Sequence, residues 1–137
     1  MGTFVFLSNV YVWNMPVNKV GKLGEDIATR FLVEKGFTII ERNKNLGFAE
    51  IDIICEKEGT VHFVEVKSNS INFTEVRDIL ENYKPEERVD RRKIEKIAKA
   101  AEVYMHGRVG EWQIDVAGVL LDQGLKKAKV SFLTQEF

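Results

Sequence analysis

The sequence is poor in the residues that most often build metal clusters or redox sites. One cysteine, Cys55, stands among 137 residues, so no disulfide can close within the chain. That usage suits a reducing, cytoplasmic setting. With His62 and His106 as the two histidines and no second thiol, a structural zinc site lacks its usual ligands. An excess of charge is missing as well. A formal net charge of −1 exerts no global pull on a polyanion, so phosphate binding would have to come from a local patch. Long apolar runs are also absent. The opening MGTFVFLSNVYVWNMP is apolar but has no basic start, and Ser8, Asn9 and Asn14 interrupt it. That argues against a signal peptide and against a membrane span. No repeat or low-complexity segment occurs.

The composition is that of an ordinary soluble globular domain, 45% hydrophobic and 30% charged, with enough chain for one core. Residues 19–137 read as that single domain and residues 1–18 as an N-terminal extension. Within the extension, FVFLSNVYVW is rich in β-branched and aromatic residues, as a strand would be. It could pack on this domain, exchange with a second copy or offer an edge to a partner. A first helix is expected from about Lys19 to Lys35. There Val20, Leu23, Ile27, Ala28, Phe31 and Leu32 form an apolar stripe, and Gly36 is a natural stop. Strands follow at FTIIERN, EIDIICE and TVHFVEVK, with NLGFA and SNSINF as loops. TEVRDILENY is either a short helix or an ordered excursion. Pro85 suits the first turn of a second helix that carries Val89, Ile94, Ile97, Ala98, Ala101, Tyr104 and Met105. WQIDVAGVLLD and KVSFLT close the series. The order α-β-β-β-α-β-β, with an extra N-terminal strand available, predicts an α/β fold on a mixed sheet flanked by helices.

The stretch AEIDIICEKEGTVHFVEVKS places Asp52, Glu65 and Lys67 inside otherwise apolar strands, where charge is costly. Side chains alternate along a strand, so Glu50, Asp52 and Ile54 share one face and Ile51, Ile53 and Cys55 the other. On the next strand Val61, Phe63, Glu65 and Lys67 lie together. A two-residue turn at Glu58-Gly59 sets Lys57 against Thr60, Asp52 against Glu65 and Glu50 against Lys67. Directly opposed side chains have Cβ atoms about 4.5–5.5 Å apart, and like charges at that distance repel. A divalent cation between them turns repulsion into coordination. Magnesium favours such hard oxygen ligands with several retained waters. The competing reading is a charged, solvent-facing strip in which Lys67 neutralises Glu50 or Glu65.

GKLGEDIATRFLVEKGFTIIERNKN, followed by AEIDII and VHFVEVKS, resembles the YraN-like family of small prokaryotic proteins. That family is related to Holliday-junction resolvases and to the restriction-endonuclease-like superfamily. The resemblance spans roughly residues 19–121. It implies a restriction-endonuclease-like domain with a PD-(D/E)xK site, a magnesium- or manganese-dependent nuclease acting on DNA, including branched DNA. By that resemblance Asp52 and Glu65 are metal ligands, Glu25 in the GED of the first helix a further ligand, and the Val66 carbonyl often completes the set. Lys67 would orient the attacking water or stabilise charge at the phosphate. The chain has Ala49-Glu50-Ile51-Asp52 where the family usually has Gly-Glu-Ile-Asp, and Ser68-Asn69-Ser70 where a basic residue often follows. These departures bear on substrate contacts more than on metal binding. Resolvase relatives are often dimers, which by analogy makes a homodimer the expectation.

Other residues are read with both alternatives open. Glu50 and Asp115 are expected to support the ligands from behind rather than to bind metal, and Asp115 could equally be a buried, hydrogen-bonded structural acid. Arg92, Lys96 and Lys99 can line one flank of the second helix beside Lys93. They would hold backbone phosphates or simply be a solvated face. Arg42 and Lys44, at the end of the first strand, are candidates for the mouth of the site. His62 points away from Glu65 and is expected to pack. Two further functions remain: a nucleic-acid-binding module on the same fold without turnover, and a structural interaction protein that docks through FVFLSNVYVW.

Overall fold

The computed structural model describes residues 9–12, 20–70, 90–122, 124 and 126–135. Its elements are β1 (Asn9–Val12), α1 (Val20–Glu34), β2 (Thr38–Asn45), β3 (Glu50–Lys57), β4 (Thr60–Ser70), α2 (Arg91–Met105), β5 (Glu111–Asp122) and β6 (Lys127–Gln135). The six strands form one sheet in the order β1-β6-β5-β4-β3-β2. β4 and β5 run parallel and every other pair is antiparallel. The fold is therefore α/β with a mixed sheet, as the order of elements implied.

Local signals explain most boundaries. α1 ends in a Schellman motif: Phe37 N–H donates to Leu32 O at 3.0 Å and Gly36 N–H to Val33 O at 3.1 Å, with Gly36 at φ +94°. Leu32 and Phe37, the residues that flank this motif, both join the core. The β3–β4 turn has Glu58 at φ +51° and Gly59 at φ +83°, and Lys57 pairs with Thr60 as the two-residue turn requires. The sheet separates two apolar layers. On one face Ile27, Ala28, Phe31 and Leu32 of α1 pack on Ile53, Cys55, Val64 and Val119. On the other, Ile94, Ile97, Ala101 and Tyr104 of α2 pack on Ile54, Phe63, Ile114 and Val116. β5 has layers on both sides, which explains its nearly unbroken apolar run.

Several expectations change. β4 continues through Ser70 and pairs with β5 to its end, so Ser68–Ser70 belong to the sheet rather than to a loop. β2 extends to Asn45. α2 starts at Arg91, because Asp90 is its N-cap and accepts from Arg92 N–H at 2.9 Å. Pro85, Val89 and TEVRDILENY lie outside the described residues. So do residues 1–8, while Asn9–Val12 pairs with β6 of the same chain. Among the described residues no helix is long and apolar enough to cross a membrane.

Candidate active site

Asp52 sits where β3 departs from strict alternation. Ile53 and Cys55 join the α1 layer as period two demands, but Ile51 joins the α2 layer together with Ile54. The expected common face for Ile51 and Ile53 is therefore broken at Asp52. The β3–β4 ladder ends at Ile53↔Val64, one position short of Asp52 and Glu65. Beyond it, Asp52 Oδ2 accepts the Val66 N–H at 2.8 Å, so a carboxylate replaces a backbone carbonyl as the partner of β4. The expected Glu50–Lys67 opposition is not part of this ladder. Glu50 is exposed and pairs with Asn45 on β2.

Asp52 and Glu65 come together as expected, near enough for the charge of Asp52 to act on Glu65. Glu65 is only 4% exposed. Burial pushes its pKa up to about 7, the Asp52 charge adds to the rise, and Lys93 and Lys67 oppose it. Burial also raises Asp52, against the Val66 N–H and the Lys93 charge. Lys93, at the first turn of α2, places Nζ 2.5 Å from Glu65 Oε1. Its pKa is raised, chiefly by that hydrogen bond.

Glu25 approaches from α1. Its pKa is raised by burial first and by Asp52 second, with the Arg42 charge opposing. Glu25 Oε1 is buried and has no hydrogen-bond partner among the described residues. The preceding residue explains how α1 comes so close. A Cβ on Gly24 would lie 1.7 Å from Ser68 Oγ and 2.9 Å from Ser68 Cβ, so only glycine lets the helix rest on β4. Arg42 reaches across from β2 to Asp26 of α1 at 2.8 Å.

The donor set suits a hard cation. It comprises two neighbouring carboxyls and a buried carboxylate oxygen without a partner among the described residues. Among the described residues no three His, Cys, Asp or Glu side chains form a ready-made cage.

Other candidates lie elsewhere. Asp115 is fully buried on the α1 face, 2.6 Å from His62 Nδ1 and 2.8 Å from Gln113 Nε2. Gln113 also donates to Thr134 at 3.1 Å. These bonds make Asp115 part of a buried polar network, not a support for Asp52 or Glu65. Burial pushes the Cys55 thiol up to about 12, as befits an inert core residue. Lys44 is engaged by Glu41 at 3.4 Å, while Arg92, Lys96 and Lys99 are exposed along α2.

With this geometry in place, comparison with known proteins is decisive for kinship. Residues 24–119 match the model of uncharacterised protein family UPF0102. The chain belongs to the UPF0102 family. This is the YraN-like group that the motifs resemble, and the matched span contains Glu25, Asp52, Glu65, Lys67 and Lys93. A UPF0102 protein of Campylobacter jejuni subsp. doylei is 44% identical over 98 residues, 70% of this chain and 79% of the relative. One from Syntrophomonas wolfei is 34% identical over 123 residues, 87% of this chain and 97% of its own length. A third, from Dictyoglomus turgidum, is 38% identical over 106 residues, 75% and 83% of the two chains. Against this UPF0102 frame, sequence reasoning missed two contacts: the Val66 N–H on Asp52 and the Lys93 ammonium on Glu65. It had grouped Lys93 with the phosphate-binding flank, because no periodicity within α2 signals a partner on β4.

Proposed function

We propose that this UPF0102 protein is a magnesium- or manganese-dependent nuclease that hydrolyses phosphodiester bonds in DNA. The observation that carries the reading is the Asp52–Glu65 pair, a half-buried and a buried carboxyl brought together inside a sheet, with Lys67 two residues beyond Glu65. Such a pair is an unfavourable way to stabilise a strand and a suitable way to hold a cation.

Asp52 and Glu65, with Glu25, would hold the metal, and the Val66 carbonyl is a further candidate. When bound, the cation supplies a Lewis acid that offsets negative charge at phosphorus and makes water more acidic. The Val66 N–H sets the orientation of Asp52 through Oδ2. Lys67, on the Glu65 face of β4, contributes an ammonium that stabilises charge developing on the phosphate oxygens. Arg42, Lys44, Arg92, Lys96 and Lys99 would contact the phosphate backbone. Binding would then weaken with salt and carry little sequence preference.

The test uses labelled single-stranded, duplex, flap and four-way-junction DNA with magnesium, manganese or chelator, beside an Asp52→Ala, Glu65→Ala double variant. Metal-dependent cleavage that disappears in the variant is the expected result, and the preferred substrate names the DNA class. No cleavage of any substrate with either metal overturns it. Salt-sensitive binding that survives in the variant would then favour a binding module.

A further inference from the structure

We infer that Lys93 is the resident cation of the acid pair: its ammonium occupies the site until a divalent metal displaces it. This rests on the metal-site reading proposed above and adds how that site is kept before metal arrives. Two adjacent carboxyls, one only 4% exposed and the other half-buried, are stabilised by positive charge beside them. Lys93 Nζ provides it at 2.5 Å from Glu65 Oε1, and the same ammonium is attracted by Asp52 and Glu50. It therefore stands against the carboxylates that a metal would use.

The contact is also built to open. The Lys93 side chain is 56% exposed, so its head can swing into solvent without uncovering the core. The backbone beneath it stays fixed: Asp90 caps the helix through Arg92 N–H, and the neighbouring Ile94 is buried in the α2 layer. Exchange of lysine for metal is thus a side-chain rotation that leaves α2 in place. A merely structural ion pair predicts something different. Its loss would destabilise the fold and leave metal affinity unchanged or weaker.

The deciding experiment titrates manganese into the full chain and reads free ion by electron paramagnetic resonance, at fixed ionic strength. The proteins are wild type, Lys93→Met, Lys93→Arg and Glu65→Gln, with cooperative melting as the check of folding. Lys93→Gln replaces Lys93→Met should the latter not melt cooperatively. The expected result is roughly ten-fold tighter manganese binding when the ammonium is removed, near wild-type affinity for Lys93→Arg, and loss of the site in Glu65→Gln. Manganese binding that needs Glu65 but is no tighter in Lys93→Met overturns the displacement and leaves the metal site standing. Binding that is absent from all four proteins, or indifferent to Glu65→Gln, overturns both.

Discussion

Glu65 concentrates the electrostatic tension of the molecule. Its pKa rises from the ordinary 4.5 to about 7 on folding. Between those values the folded chain keeps a proton that the unfolded chain has released. The associated stability is therefore fully present below about pH 4.5 and lost as pH climbs through 7. Glu65→Gln should flatten that part of the profile, seen as a smaller difference in urea midpoint between pH 5 and pH 8. Equal slopes in both proteins would remove the argument. Asp115 makes the contrast. Asp115→Ala would strand His62 Nδ1 in the interior, while Gln113 Nε2 keeps its bond to Thr134, at a cost of about 1–3 kcal/mol. Melting should register that loss, while manganese affinity at the acid pair stays as in the wild type. Both acids stand in apolar strands in the sequence. Only Glu65, with its Glu-x-Lys spacing, carried a recognisable chemical signal.

The α1–β4 contact decides whether Glu25 reaches the site. Ser68 Oγ could rotate away from a new methyl at position 24, but Ser68 Cβ, 2.9 Å away, could not. Gly24→Ala should therefore cost about 1–3 kcal/mol, the usual range for overpacking, and Ser68→Gly in the same chain should recover part of it. Chemical denaturation of the single and double variants checks this; an unchanged midpoint for Gly24→Ala would show that the helix has room. The apolar stripe of α1 and its glycine stop were plain from periodicity. The close approach of Gly24 was not, because it depends on which strand the helix crosses. In α2 the buried face was legible, but its start at Asp90 was not. The cap, Asp90 accepting the Arg92 N–H, was not read there because Pro85 drew the expectation upstream.

Across the whole molecule, ligand binding and folding are linked, since a metal that binds only the folded chain stabilises it by mass action. Manganese at a hundred times its dissociation constant should add about 2.7 kcal/mol to the wild type and nothing to the Asp52→Ala, Glu65→Ala variant. Thermal melting with manganese or chelator reads this without any substrate. A shift of equal size in both proteins would place the metal elsewhere. The sheet explains why the candidate ligands meet. The short β3–β4 hairpin brings Asp52 and Glu65 together, α1 adds Glu25 from one layer, and α2 adds Lys93 from the other. The sequence by itself determined the order of the main elements and the hairpin register from Lys57↔Thr60 to Ile53↔Val64, because periodicity, Gly36 and the Glu58-Gly59 turn are local. It also marked Asp52, Glu65 and Lys67, because charge within an apolar strand is conspicuous at short range. Only the tertiary structure decided that β3 breaks alternation at Asp52, that Asp115 turns to His62, and that Lys93 closes on Glu65. Those outcomes depend on contacts between residues far apart in the chain, whose distances no local pattern encodes.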